Sequence, residues 1–304
     1  MVIVAVVGPT ASGKTDLSLD LAQKLGGAQI IGADAMARYT GMDIGTAKVA
    51  PSERRGIAHY QIDVLDPLEE ASVAEYQRDA RADADGILAE DDTPIYVGGS
   101  GLYLRAALDR IEFPGTDPQV RARLEACAEE VGAAAFHAQL AQVDPVAAER
   151  IESNNVRRVV RALEVIELTG RPFSANLPDF TYHKPAVQLG VRLPLEQLDE
   201  RIAVRTQRMF ENGLLEETRR LAEHGMGRTA SGATGYAQAL ACLRGELTED
   251  EAVAAVELAT RQLARKQLKW FRRDPRIHWV SGLDEALEIL REAGVGHGKM
   301  GVTE

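Results

Sequence analysis

The chain has 304 residues, 45% of them hydrophobic, with 46 acidic side chains against 35 basic ones and a formal net charge of −11 at pH 7. That length and composition suit one large domain or two modest ones with an ordinary core, and the acidic balance argues against indiscriminate binding to nucleic acid. No apolar run approaches the roughly twenty residues of a membrane helix, and the 2 cysteines, Cys127 and Cys242, lie far apart, with neither metal-ligand spacing nor a disulfide framework, which suits a reducing cytosol.

The first expected element is a strand. Val2 to Val7 is an unbroken apolar run rich in β-branched residues, the pattern of a strand buried on both faces. Met1 leads directly into it, so no signal peptide is expected. The strand runs into Gly8-Pro9-Thr10-Ala11-Ser12-Gly13-Lys14-Thr15, which satisfies every required position of the phosphate-binding pattern G-x-x-x-x-G-K-[ST]. Apolar residues at 17, 19, 21, 22 and 25 place a helix directly after the loop. Gly8 and Gly13 let backbone N–H groups turn inward around an anion. The helix adds the positive end of its dipole, Lys14 adds a full charge, and the Thr15 hydroxyl is a candidate ligand for magnesium. The loop specifies a phosphate or diphosphate, not the molecule that carries it.

Gln29 to Asp34 is a second short strand ending in an acid. Ligands of doubly wound α/β folds sit at the carboxyl ends of the strands, so Asp34 is expected to face the phosphate loop as a general base, a magnesium ligand or a loop cap. Gly41-Met42-Asp43-Ile44-Gly45-Thr46-Ala47-Lys48 reads as a loop. Tyr60 to Val64 and Pro94 to Val97 read as strands, and Val73 to Glu90 as a helix between them. The last of these strands runs into Gly98-Gly99-Ser100-Gly101, which opens a helix over Leu102 to Leu108 and brings backbone amides and the Ser100 hydroxyl to a second edge of the same site.

From Asp117 to Lys184 the chain becomes charged, alanine-rich and helical, with breaks expected at Asp144-Pro145, Gly170-Arg171-Pro172 and Leu177-Pro178. Val187 to Leu193 restores a strand, helices dominate from Glu196, and a late strand covers Ile277 to Val280. The fold expected is therefore α/β, a P-loop NTPase-like parallel sheet formed by residues 1–116 and 186–304, with a helical insertion at 117–185.

Basic residues cluster despite the acidic total. Arg157, Arg158 and Arg161 crowd one turn of the insertion, Arg201, Arg205 and Arg208 share a helix face, and Arg261, Arg265, Lys269 and Arg272 form a longer stripe with no Asp or Glu between Arg261 and Arg273. The stripe reads as a polyanion-binding face, and Trp270 and Phe271 within it read as core. The 6 histidines show no ligand spacing.

Taken together, five stretches resemble one family, the tRNA dimethylallyltransferases. They are Gly8 to Thr15, Gly41 to Lys48, Val97 to Tyr103, Arg161 to Val165 and Thr260 to Gln267. The resemblance implies an enzyme that moves the dimethylallyl group of dimethylallyl diphosphate onto N6 of adenine 37, beside the anticodon. It implies diphosphate on Gly8, Thr10, Ala11, Ser12, Gly13, Lys14 and Thr15, with Mg2+ at Thr15. Asp34 becomes the base that takes the adenine amino proton, Ser100 stands beside the diphosphate, and Arg205 contacts it. The resemblance also places tRNA, through its anticodon stem-loop, against Asp34, Ala35, Met36, Ala37, Tyr236, Arg261 and Arg265, and against Arg157, Arg158 and Arg161 of the insertion. It implies a monomer in the cytoplasm.

The chain departs from the family where a base is read. The family's Asp-Ser-x-Gln is Asp34-Ala35-Met36-Ala37, and its arginine and basic residue around the Gly-Tyr pair are Gly232 and Ala237. A lost bidentate base contact costs about 1–3 kcal/mol of discrimination. Two other activities fit the same loop: prenyl transfer to free adenine nucleotides, and a small-molecule P-loop kinase.

Overall fold

The structure is a computed structural model that describes residues 2–176 and 180–295; the break expected at Leu177-Pro178 lies outside the described residues, as does Met1. It divides into two compact units, one formed by Met1–Leu108 with Tyr182–Glu304 and the other by Asp109–Thr181.

In the first unit, β1 (Ile3–Val7) leads into α1 (Lys14–Leu25) and β2 (Ala28–Gly32), followed by β3 (His59–Tyr60), α2 (Val73–Ala89), β4 (Thr93–Gly98) and α3 (Gly101–Leu108). The second unit holds α4 (Pro118–Val131), α5 (Ala133–Val143), α6 (Pro145–Arg150) and α7 (Val156–Thr169). The chain then returns to the first unit through β5 (Ala186–Val191), α8 (Leu195–Glu211), α9 (Leu214–His224), α10 (Arg228–Ser231), α11 (Tyr236–Leu243), α12 (Glu249–Phe271), β6 (Ile277–Val280) and α13 (Leu283–Glu292).

The 6 strands form one parallel sheet in the order β3-β2-β4-β1-β5-β6. Parallel strands need covered faces, and here Leu17, Leu21 and Leu25 of α1 and Leu290 of α13 pack on Val4, Val6, Ile95 and Leu189. A second cluster joins Met209 and Phe210 of α8, Leu214 and Leu221 of α9, and Val256 of α12 to Tyr39 and Met42 of the loop after β2. The Asp109–Thr181 unit has its own core, with Phe136, Leu140, Val159 and Val160 buried together. Asp117 and Asp144 cap α4 and α6 by accepting first-turn N–H groups, so prolines at the first helical position cost nothing.

The third strand is much shorter than the run Tyr60 to Val64 suggests. Gln61 and Asp63 take left-handed backbone angles, φ 58 and φ 56, which ends the ladder at Tyr60. Long-range polar contacts hold those angles: the Gln61 amide donates to Asp83 at 2.7 Å, and the Asp63 carboxylate accepts from Lys48 Nζ at 2.5 Å.

The sheet fixes Asp34 through one close approach. The Ala33 N–H donates to the Val97 carbonyl at 2.7 Å, just beyond the β2–β4 register that ends at Gly32 opposite Val97. A Cβ on Gly98 would lie 2.0 Å from the Ala33 carbonyl oxygen and 2.3 Å from its carbon, a backbone collision that no rotamer relieves. Gly98→Ala is expected to lose about 3 kcal/mol of stability. Urea unfolding of parent and variant checks it, and coincident midpoints would mean that the strand ends part without cost.

Candidate active site

The phosphate loop leaves β1 at Gly8 and enters α1 at Lys14. The turn needs left-handed angles at Ala11, φ 63, and at Gly13, φ 91, and the Ser12 N–H donating to Pro9 O at 3.3 Å closes it. The first-turn N–H groups of α1 have no acceptor within the helix, which leaves them for an anion. Lys14 Nζ donates to Pro9 O at 3.3 Å. Burial pushes its ammonium down from 10.5 to about 8, with Asp34 opposing that shift and Arg205 adding to it. Two loop side chains do other work. Ser12 is buried beside Gly8, with no partner for its hydroxyl among the described residues. Ala11 packs against Leu198, Ile202 and Ala264. These residues therefore offer backbone, not side chains, to a phosphate.

Two further loops and two helices close on this one. Asp34 follows β2, and its Oδ1 accepts the Met36 N–H at 3.0 Å. Ser100 follows β4; its hydroxyl accepts the Ala35 N–H at 3.2 Å and its own N–H donates to Ala33 O at 3.3 Å. Arg205 reaches in from α8. Its Nη1 donates to Thr10 Oγ1 at 3.1 Å and its Nη2 to Thr46 O at 3.2 Å. Burial lowers the guanidinium's pKa, with Asp34 opposing, and an arginine so depressed still keeps its charge. The Thr10 N–H donates to Oε1 of Gln267, on α12, at 2.8 Å.

Two cavities meet at these residues, one of about 310 Å³ and one of about 100 Å³. Thr10, Asp34, Thr46 and Arg205 line both. The smaller continues along Lys14, Thr15 and Ala37. The larger continues along Met36, Ser100, Thr234, Val256, Leu263 and Gln267. The site is thus a polyanion-suited chamber and a wider, partly apolar one, with a carboxylate and a guanidinium on their common wall.

Several residues expected at an RNA surface are placed otherwise. Tyr236 has 0% of its surface exposed, and its hydroxyl donates to Glu217 Oε1 at 2.6 Å, so it holds the fold together and is not a surface contact. Arg161 spends its guanidinium within its own unit, on Gly115 O at 3.1 Å, Pro114 O at 2.5 Å and Glu164 Oε2 at 2.7 Å. The long stripe is not free of acids either. Arg261 pairs with Glu257, one turn earlier on the same helix, and Arg265 pairs with Asp199 of α8 at 2.8 and 3.1 Å. Arg157 and Arg158 are exposed. Phe271 is core as expected, whereas Trp270 keeps 37% of its surface exposed. Ala35 enters the site through its N–H, Met36 lines the larger cavity, and Ala37 lines the smaller.

The residues that sequence reasoning missed are Gln267 and the Thr46 carbonyl. Gln267 lies 257 positions from the amide it holds; it closes a stretch that matches the family, but nothing near it in sequence points to the phosphate loop. Thr46 acts through its backbone, which no side-chain pattern can register.

With this geometry in view, comparison with known proteins is specific. Residues 37–274 match a family model described as IPP transferase. The chain is 58% identical over 282 residues to the tRNA dimethylallyltransferase of Streptomyces avermitilis, covering 92% of this chain and 90% of that protein. It is 56% identical over 284 residues to the protein of the same name from Thermobifida fusca, covering 91% and 89%. Among solved structures, the tRNA isopentenylpyrophosphate transferase of Bacillus halodurans superposes with a TM-score of 0.70 at 36% identity, covering 97% of this chain and 96% of that one. A eukaryotic dimethylallyltransferase acting on tRNA superposes with a TM-score of 0.80 at 26% identity, covering 93% and 74%.

The depressed Lys14 makes a pH prediction. Between about 8 and 10.5 the folded chain has released a proton that the unfolded chain still holds, so this group's contribution to stability rises with pH across that window. Lys14→Met is therefore expected to melt above the parent at pH 7 and to lose that advantage by pH 10. Thermal melts of both proteins across this range check it; a difference that does not change with pH would mean that Lys14 titrates as it does in water.

Proposed function

The chain belongs to the IPP transferase family, and from that membership we propose that it transfers the dimethylallyl group of dimethylallyl diphosphate to N6 of adenine 37 in the anticodon stem-loop of tRNA. The observation that carries this reading is the common wall: Asp34, Arg205, Thr10 and Thr46 line both cavities. Diphosphate belongs on the Lys14 side, where first-turn amides, an ammonium and a guanidinium converge. The acceptor belongs on the Met36 side. The reacting carbon then sits between them, beside Asp34.

The chemistry follows from that placement. The adenine N6 lone pair forms a bond to the allylic carbon while the carbon–oxygen bond to diphosphate breaks, and the oxygen keeps that electron pair. Lys14, Arg205 and the loop amides stabilise the charge that collects on the leaving group. Asp34 accepts the proton that N6 must lose. Holding both reactants in line supplies much of the rate, and adenine reaches the larger cavity only once it has left its stack.

Magnesium suits the smaller cavity. Thr15 faces it, and its hydroxyl is a hard oxygen donor. Few protein oxygens, completed by water and substrate phosphates, are what magnesium accepts. Thr15 would hold the ion, and when bound it supplies charge neutralisation for diphosphate.

The relatives' names, tRNA dimethylallyltransferase, favour a tRNA acceptor over free adenine nucleotides and prenyl transfer over phosphoryl transfer. No helix among the described residues is long and apolar enough to cross a membrane. Of the basic residues, Arg157 and Arg158 are the best placed to meet RNA phosphates, because Arg261 and Arg265 have carboxylate partners to lose first.

Two measurements test this reading. Label from dimethylallyl diphosphate should appear in bulk tRNA and not in AMP. Asp34→Ala should lose at least about a hundredfold in turnover, the scale of a removed general base, while binding dimethylallyl diphosphate with near-parental affinity. Labelled AMP would transfer the assignment to free nucleotides, and lost diphosphate affinity would make Asp34 a substrate ligand instead of a base. Separately, Arg157→Glu with Arg158→Glu should reduce the log–log salt slope of tRNA binding by about 1 for each phosphate contact removed. Filter-binding titrations at several salt concentrations decide, and an unchanged slope would remove both arginines from the interface.

A further inference from the structure

Glu217 is a carboxylate on α9 that the reaction above does not use. It is 4% exposed, and no basic side chain bonds to it among the described residues. Its partners are all donors of another kind. Ile44 N–H donates to Oε2 at 2.9 Å and to Oε1 at 3.1 Å, Asp43 N–H to Oε2 at 3.2 Å, and Gly45 N–H to Oε1 at 3.2 Å. The Tyr236 hydroxyl completes the set at 2.6 Å. Three successive backbone N–H groups wrapped on one anion form the same kind of nest that binds phosphates elsewhere. Here the protein fills it with its own side chain.

What this nest holds in place is the wall of the active site. Thr46, the next residue, gives Arg205 its carbonyl anchor, and Arg205 in turn reaches Thr10 of the phosphate loop. Tyr236 lies so close beneath the loop that a Cβ on Gly45 would come within 2.5 Å of its ring. Tyr236 also opens α11 just after Gly232, Ala233 and Thr234, which line the far side of the larger cavity. A single buried carboxylate therefore ties together the loop that sets Arg205 and the segment facing it.

We propose that Glu217 is a positioning residue for the transfer reaction: by clasping the N–H groups of residues 43–45 and the Tyr236 hydroxyl, it fixes the Thr46 carbonyl and through it the Arg205 guanidinium against the diphosphate. The inference rests on the diphosphate assignment made above. Glutamine cannot replace the acid. It has one acceptor oxygen where the nest uses two, so its amide N–H groups would face other donors. A buried carboxylate exchanged this way frees the loop, and Arg205 loses one of its two anchors.

The test is a cycle of Glu217→Gln and Arg205→Ala, measured well below the melting temperature of each variant. Glu217→Gln is expected to raise KM for dimethylallyl diphosphate about tenfold, the scale of one or two lost hydrogen bonds, and kcat is expected to change much less. In the Arg205→Ala background the same change is expected to add nothing, because the residue acts through that arginine. Tyr236→Phe leaves the backbone donors in place and is expected to raise KM less, in the same direction. A Glu217→Gln protein that melts earlier yet keeps the parental KM would overturn the proposal, as would effects that multiply in the double variant. If the glutamine protein does not fold, the same cycle with Tyr236→Phe decides, and a parental KM there overturns the proposal equally. Affinity for inorganic diphosphate is measured on every variant. It reads the effect on the loop even in a parent that transfers no label, an outcome that counts against the assigned reaction and not against the clasp.

Discussion

Lys14 and Arg205 are two cations drawn out of water around Asp34, and burial is the leading influence on both. One carboxylate cannot offset two desolvated charges. Two buried cations that share one carboxylate carry a standing electrostatic cost. An anion of two or more charges removes that cost on binding, so ligand and fold are linked. The helix dipole of α1 points the same way. The rest of the architecture can be understood as what holds these charges in register: β1 sets the loop, the Gly98 approach sets Asp34, and α8 sets Arg205.

How far this was legible in the sequence depends on the range of the interaction. The phosphate loop is encoded locally, by glycines that permit its angles, an apolar run before it and a periodic helix after it, so its place and shape follow from the residues. The positions of Asp34 and Ser100 were legible too, since the carboxyl ends of parallel strands converge, whereas Arg205, which reaches in from α8, was expected only through the family resemblance. The third strand was not, because Gln61 and Asp63 are bent into left-handed angles by Asp83 and Lys48, distant partners that no window of sequence contains. Tyr236 was read as an RNA contact for a related reason: nothing near it in sequence announces that Glu217 awaits it on another helix. In the basic stripe the lack of acids is only local. Asp199 neutralises Arg265 across the α8–α12 contact, and Glu257 lies just before the stretch that contains none.

The same contrast governs acceptor recognition. The Asp34-Ala35-Met36-Ala37 turn lacks the glutamine that the family carries at its last position, and Ala37 lines the chamber shared with Lys14 and Thr15 instead of the wider one. Its small side chain opens space around phosphate, not around a base. On the wider side the wall is made of Met36, Gly232, Ala233, Leu263 and the threonines 206, 229, 234 and 260. A threonine hydroxyl both donates and accepts, so it satisfies many base edges and discriminates weakly among them.

Discrimination in such a chamber must then come from geometry and from its few directional groups. In the proposed reaction Asp34, an acceptor when ionised, favours the 6-amino group of adenine over the 6-oxo group that guanine presents in the same orientation. Cytosine also offers an amino group, but its smaller ring would leave that group short of a carbon fixed by the diphosphate on the other side of the common wall. On the proposed reading the position of the reacting carbon is set by Lys14, Arg205 and the loop amides, so the charges that hold the donor also measure the acceptor. In this arrangement, loosening the diphosphate side degrades base choice as well as affinity, and the two properties that the sequence presents as separate motifs become one mechanical property of the site.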